Sequence, residues 1–266
     1  MPADFHHCAL ITGASSGLGA EFAHQLGGRC AAMVLVARRG DRLRDLSHRL
    51  TSKHPGLQVL VVEADLVTAE GRHAVMAACD EAGLVPDLLI NNAGMGDYGE
   101  FADSDPDKLL AMLRLNVEAL TMVTHAVLPG MIAAGRGDII QVSSLASLLA
   151  IPDFAVYAAT KAYVTSFSEA LRIELLDTGV HVTALCPGPV HTEFGSIAQR
   201  GEGKKESSFR EWSYVDQEIV VADALTGVSK NQARVFPGLK IAAAAVVLGL
   251  LPVALLRLAM STRPRR

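Results

Sequence analysis

Thr12-Gly13-Ala14-Ser15-Ser16-Gly17-Leu18-Gly19 follows the apolar residues 8–11 and runs directly into residues 20–26, which read as a helix. Glycines let a backbone turn tightly and come close to a pyrophosphate. The first amides of the following helix then face that anion with unpaired N–H groups and the positive end of the helix dipole. A glycine-rich turn alone is common. Its place between a strand and a helix, at the start of an alternating chain, favours nucleotide binding.

Working outward, short β-branched runs alternate with longer amphipathic stretches. Strands are expected at 8–12, 33–37, 57–64, 88–91, 138–143, 181–186 and 234–236. Leu43, Leu46 and Leu50 form one helical stripe, and Leu109, Met112, Leu113 and Val117 a second. Continuous apolar strands joined by helices describe a parallel sheet buried on both faces. No repeat of solenoid period and no linker-like stretch interrupts the pattern, so residues 1–238 are read as a single domain. Within it, the irregular segment 191–214 suits a lid over a site.

Composition narrows the class further. The chain has 266 residues, 50% of them hydrophobic, and a mean hydropathy of +0.29. That supplies one sizeable core and excludes general disorder. The formal charge of −4 lacks the basic footprint of a nucleic-acid binder, so no nucleic-acid partner is expected. Cys8, Cys30, Cys79 and Cys186 lie far apart, which points to a reducing compartment and a cytoplasmic location. The first residues carry no basic segment followed by an apolar one, so export by a cleaved signal is not expected. The histidines lack metal-ligand spacing, and no catalytic metal is expected.

The end of the second strand reads Val36-Ala37-Arg38-Arg39, with no Asp or Glu before Asp41. In a dinucleotide fold this position meets the adenosine ribose. A guanidinium there makes paired bonds to an additional phosphate, whereas a carboxylate would bind free hydroxyls. NADP(H) is therefore the expected cofactor, with NAD(H) as the lesser option; one of Arg38 and Arg39 also reads as a solvated helix-start charge. Further on, Tyr157 and Lys161 are four residues apart within the helical stretch 155–176 and share a face. An ammonium beside a phenol favours the phenolate, bringing the tyrosine within reach of proton exchange with an alcohol or carbonyl.

Taken in order, these motifs resemble the short-chain dehydrogenase/reductase family. Residues 12–19 are similar to its TGxxxGxG cofactor motif, Asn91-Asn92-Ala93-Gly94 to its NNAG motif, and Tyr157-Ala158-Ala159-Thr160-Lys161 to its YxxxK motif. Ser144 stands thirteen residues ahead of Tyr157, Asn116 lies in Leu115-Asn116-Val117, and Pro187-Gly188-Pro189-Val190-His191-Thr192 follows the sixth strand. The likeness runs motif by motif over roughly residues 8–192. Thr160 stands where the family often has Ser, a change that keeps the hydroxyl.

The resemblance implies an α/β, Rossmann-like, doubly wound parallel seven-stranded sheet with helices on both faces. It also implies catalytic roles for Asn116, Ser144, Tyr157 and Lys161. Tyr157 would exchange the proton, Ser144 would bond the substrate oxygen, Lys161 would bind the nicotinamide ribose and lower the tyrosine pKa, and Asn116 would hold a relay water. Cofactor contacts would come from Gly13, Ser15, Ser16, Gly17, Leu18, Gly19, Arg38, Arg39, Asp65, Leu66, Asn92, Ala93, Gly94, Tyr157, Lys161, Pro187, Gly188, Val190 and Thr192. Asp65 also reads as a plain helix cap, Ser143 or Ser144 as a strand-end cap, and Asn116 as a residue satisfying helix backbone. The helices around 109–117 and 155–176 commonly build family dimers or tetramers, so a homo-oligomer is implied.

Two questions stay open from the sequence. Leu145, Leu148, Leu149, Ile151, Phe154 and Phe194 read either as an apolar pocket for a hydrophobic carbonyl or alcohol substrate or as core. Residues 239–266 hold the uncharged run 241–256, flanked by Lys240 and Arg257 and followed by a basic tail. As a helix the run would measure about 24 Å, short for a bilayer span. It reads as a peripheral membrane contact or as a helix packed on protein. The activity expected is interconversion of a hydrophobic carbonyl compound and its secondary alcohol. The rivals are a 3-oxoacyl-thioester reductase and a non-catalytic cofactor-binding regulatory protein.

Overall fold

The computed structural model describes residues 5–200 and 214–261. Within the expected lid, residues 201–213 lie outside the described residues, as do Thr262 and the basic tail. Seven strands form one sheet: β1 (His6–Thr12), β2 (Cys30–Ala37), β3 (Gln58–Glu63), β4 (Leu88–Asn91), β5 (Gly137–Val142), β6 (Val180–Leu185) and β7 (Arg234–Val235). Their spatial order is β3-β2-β1-β4-β5-β6-β7, with every pairing parallel. The strands fall where the apolar runs place them. The main differences are a β2 that begins three residues earlier, at Cys30, and a β7 only two residues long.

The sheet is buried on both faces because alternate strand residues feed two apolar layers. On one side, Ile11, Met33, Leu35 and Ile90 pack against α1 (Gly17–Leu26) and α2 (Gly40–Lys53), and α8 (Gln217–Ser229) continues that layer. On the other, Leu10, Val34, Leu89 and Ile139 pack against α3 (Ala69–Glu81), α5 (Leu120–Ala133) and α6 (Ala155–Glu174). Leu43, Leu46 and Leu50 are the buried stripe of α2, as their spacing requires. Strand order reverses between β1 and its neighbour β4, and the carboxyl ends at such a switch point form the crevice that α/β sheets use for ligands.

The second expected stripe is only partly borne out. Helix α4 (Pro106–Leu113) begins with Asp105 accepting from the Asp107 amide at 2.9 Å, and it buries Met112. It then widens into a π turn over Arg114–Ala119 before α5. The wider turn shifts the phase, so Asn116 is buried while Leu113 is exposed.

Candidate active site

At the carboxyl end of β1, Thr12 ties the glycine turn to β4. Its hydroxyl accepts from the amides of Asn92 and Ala93, each at 3.0 Å, and donates to the Ile90 carbonyl. Asn92 returns the contact, donating Nδ2 to the carbonyls of Thr12 at 3.0 Å and Gly13 at 3.2 Å. Gly13 has φ +67°, a left-handed conformation that favours glycine. A Cβ on Gly19 would meet the Gly13 carbonyl oxygen at 2.3 Å. Ser16 opens α1 without a side-chain cap, so its own hydroxyl does not occupy the first amides of the helix. Leu18 packs against the sheet layer next to the turn.

Of the two arginines, the structure brings Arg39 to this turn. Its guanidinium donates to Ser15 Oγ at 3.1 and 3.2 Å and to Ser16 Oγ at 2.7 Å. Arg38 is exposed. Arg39 also meets Glu193 Oε2 at 2.8 Å, and Arg42 reaches both oxygens of the same carboxylate, at 2.7 and 2.9 Å. Past β3, Asp65 does not cap α3. It accepts from the Val67 amide at 3.1 Å, while Thr68 caps the helix and Leu66 buries its side chain.

The reacting groups gather where β5 and α6 meet. Ser144 follows β5 and accepts from the Ala146 amide at 3.1 Å, starting a single 3-10 turn over Leu145–Leu148. Ser143 points the other way, donating to the Lys161 carbonyl at 2.9 Å and pairing with Thr165. Tyr157 and Lys161 lie on one face of α6, with Lys161 Nζ 5.7 Å from the phenol ring centroid. Lys161 Nζ donates to the Val142 carbonyl at 2.7 Å. A Cβ on Gly94 would come within 3.6 Å of the same ammonium and 3.3 Å of Asn116 Oδ1.

Tyr157 is 8% exposed, because Phe154 stacks on it at 4.2 Å between centroids and Phe194 lies tilted at 5.5 Å. Burial therefore pushes its phenol up to about 12, and the Ser144 side chain offsets part of that shift. The expected depression of the phenol by the ammonium is not found: desolvation dominates. Lys161 feels the same burial, which pulls its ammonium down to about 8. Asn116, buried in the π turn, accepts from the Met95 amide and donates to the Met95 carbonyl, both at 2.9 Å, and donates to Thr160 Oγ1 at 3.1 Å. Its observed contacts hold the segment after β4 against α6.

Ile151, Phe154 and Phe194 form an apolar cluster around Tyr157, together with Met112 and Ala158. Leu145, Leu148 and Leu149 are only half-buried and lie outside that cluster. The Pro187 carbonyl accepts from the Leu145 amide at 2.8 Å, Gly188 is half-buried, Val190 bridges to Val215, and Thr192 caps the short α7 (Glu193–Ala198). Two groups went unnoticed in the sequence. The fully buried Asp97 pairs with Arg200 and, at 3.0 Å, with Lys108, while Glu193 pairs with the two arginines. The Arg200 guanidinium chiefly, and the Lys108 ammonium after it, hold the Asp97 carboxyl below the usual range through hydrogen bonds, against the opposing effect of burial.

These residues fit a dinucleotide. The glycine turn leaves no room for side chains where backbone approaches backbone, the start of α1 is uncapped, and the Arg39–Arg42 pair already holds an anion.

The family model described as short chain dehydrogenase matches residues 7–202. Sulfoacetaldehyde reductase of Chromohalobacter salexigens is 38% identical, over 73% of this chain and 77% of its own. The very-long-chain 3-oxoacyl-CoA reductase of Rattus norvegicus is 31% identical over 71% of this chain, which spans only 61% of that protein. A short-chain dehydrogenase from Sphingobium yanoikuyae, solved in complex with NADPH, superposes with a TM-score of 0.79 at 31% identity and 97% coverage of both chains. The chain belongs to the short-chain dehydrogenase/reductase family. It is an oxidoreductase of the Rossmann-like, nucleotide-binding kind.

Proposed function

We propose that this protein interconverts a hydrophobic carbonyl compound and its secondary alcohol with NADP(H), using Tyr157 as the proton-exchanging group. The observation that carries the reading is the convergence of Ser144, Tyr157 and Lys161 beneath an apolar ring cluster at the sheet's carboxyl edge. Residues 13–19, Arg38, Arg39, Asp65, Leu66, Asn92, Ala93, Gly94, Lys161 and residues 187–192 would hold the dinucleotide, which supplies the hydride when bound. Tyr157 gives its proton to the carbonyl oxygen, and Ser144 donates a hydrogen bond to the same oxygen. Lys161, as a buried cation, stabilises the phenolate left behind. Asn116 fixes the backbone on which Lys161 and Gly94 meet. Phe154, Ile151 and Phe194 exclude water and favour an apolar substrate.

The phosphate preference is supported by Arg39 beside Ser15 and Ser16, by Arg42 on the same Glu193 carboxylate, and by the NADPH of the Sphingobium relative. A second reading, reduction of a 3-oxoacyl thioester, is favoured by the likeness to the rat reductase. A panel of ketones, aldehydes and 3-oxoacyl-CoA esters followed by NADPH absorbance separates the two. Tyr157→Phe is expected to lower kcat on the preferred substrate by about 10²- to 10⁴-fold, with NADPH affinity within twofold. Undiminished turnover in that variant would remove the proton-transfer role.

The C-terminal segment 239–266, which follows the domain of residues 1–238, would make a peripheral contact with anionic membrane. Helix α9 (Leu239–Leu250) buries Ile241 and Ala245 but leaves Leu239 92% exposed, with Val246, Val247 and Leu250 also outward. Helix α10 (Val253–Ser261) adds exposed Leu255 and Leu258. After Asp223 the sequence has no Asp or Glu, while Lys240, Arg257, Arg263, Arg265 and Arg266 accompany the apolar run. A cytoplasmic location agrees with four unpaired, buried cysteines. A homodimer or homotetramer agrees with the apolar groove of about 770 Å³ between α4 and α6, where Leu110 and Leu113 lie exposed.

A further inference from the structure

Thr192, Glu193 and Phe194 are consecutive, yet each touches a different part of the site. The Thr192 methyl lies against Gly17, where a Cβ would meet it at 3.2 Å. The Glu193 carboxylate takes Arg39 at 2.8 Å and Arg42 at 2.7 and 2.9 Å. The Phe194 ring covers Tyr157. The start of α7 is thus a strap from the glycine turn to the phenol, and its two ends are held differently. At its far end the Ala198 carbonyl accepts from the Tyr98 amide at 2.7 Å, and Arg200 binds the fully buried Asp97. At its near end the fastening is an ion pair among side chains that are 39%, 43% and 44% exposed. An exposed pair of that kind is weak and replaceable.

The same Arg39 guanidinium contacts Ser15 and Ser16, so the carboxylate sits where the second strand meets the phosphate-binding turn. Its oxygens present to the two arginines the fork that a phosphate would present with more charge.

We infer that Glu193 is an internal stand-in for the additional ribose phosphate of NADP(H): the phosphate displaces it from Arg39 and Arg42, and this releases the near end of α7 and lifts Phe194 from Tyr157. A nucleotide without that phosphate leaves the strap fastened. Glu193 is thereby a specificity-determining residue, and the nucleotide uncovers the phenol before the substrate arrives. The inference rests on the NADP(H) reading above, so the test separates the two.

The probes are the isomers adenosine 2′,5′-bisphosphate and adenosine 5′-diphosphate, which carry the second phosphate on the 2′ hydroxyl or on the 5′ phosphate, with affinity measured by calorimetry and amide exchange followed by mass spectrometry over residues 192–198. In the wild type the 2′,5′-bisphosphate is expected to raise exchange there and the 5′-diphosphate to leave it unchanged. Glu193→Gln should raise exchange without ligand and tighten the 2′,5′-bisphosphate about three- to fivefold, with the 5′-diphosphate unaffected. Unaltered affinity in Glu193→Gln, or equal exchange with both probes, overturns the strap. Arg39→Gln reads the cofactor preference itself: loss of discrimination between the probes supports it. Equal affinity for the two probes in the wild type overturns that preference and the strap with it, whereas discrimination retained in Arg39→Gln overturns the strap alone, whatever Glu193→Gln does.

Discussion

The half of the site that faces the cofactor and the half that faces the substrate are built by different physics. Around β1 and α1 the parts are fixed by backbone: a left-handed Gly13, a Gly19 with no room for a methyl, and Thr12 and Asn92 bonding carbonyls and amides directly. Around Tyr157 the parts are fixed by side chains reaching across the chain. Phe154 stacks on the phenol and Phe194 lies tilted against it, Arg200 reaches Asp97 across 103 residues, and Arg39 reaches Glu193 across 154. A backbone-built site tolerates little substitution and moves little. A site built from rings and ion pairs can be released one contact at a time.

The largest stability effect should therefore come from the smallest atom added to the first half. Gly19→Ala places a methyl against the Gly13 carbonyl oxygen, where backbone must shift, and is expected to cost about 3 kcal/mol in urea unfolding and to abolish nucleotide binding. A stable variant with intact binding would show that the turn can yield. Asp97→Asn in the second half removes the charge that fastens Arg200 and Lys108, and about 2 kcal/mol is expected to go with it. The sign with pH follows from the lowered carboxyl. The wild type keeps this contribution above the ordinary carboxylate range and loses it as pH falls through the depressed value, so the two proteins should meet in stability only below that depressed value. Denaturant curves at pH 7 and in acid check both points. Smallest, and outside either half, Leu250→Glu should weaken sedimentation with anionic vesicles about tenfold without changing turnover of a soluble ketone. A variant that sediments like the wild type would make α9 a protein-packing helix.

The first half, and the Tyr157–Lys161 pair of the second, were legible in the sequence because each of these signals is local. Residues 12–19 sit in one turn, Tyr157 and Lys161 on one helical face, and alternating strand burial in consecutive residues. The helix stripe at 109–117 was misread in part because a π turn leaves no spacing signature of its own; only the burial of Asn116 reveals the changed phase. Asp97, Arg200 and Glu193 were missed because nothing near each one in sequence indicates its partner. The phenol's direction of shift was missed for a related reason. The lysine four residues away is visible in the sequence, whereas the ring of Phe194 that dries the site is brought there by a distant segment.

The π turn at Arg114–Ala119 also bears on how this chain tolerates the loss of a codon. Deleting one residue between Met112 and Asn116 would let α4 run on into α5 as an ordinary helix, with no break in its ladder of backbone bonds. The carboxamide of Asn116 would then turn by about 100° and leave Met95 unbridged. Such a deletion would make the helix more regular and yet leave buried polar groups unpaired beside the lysine.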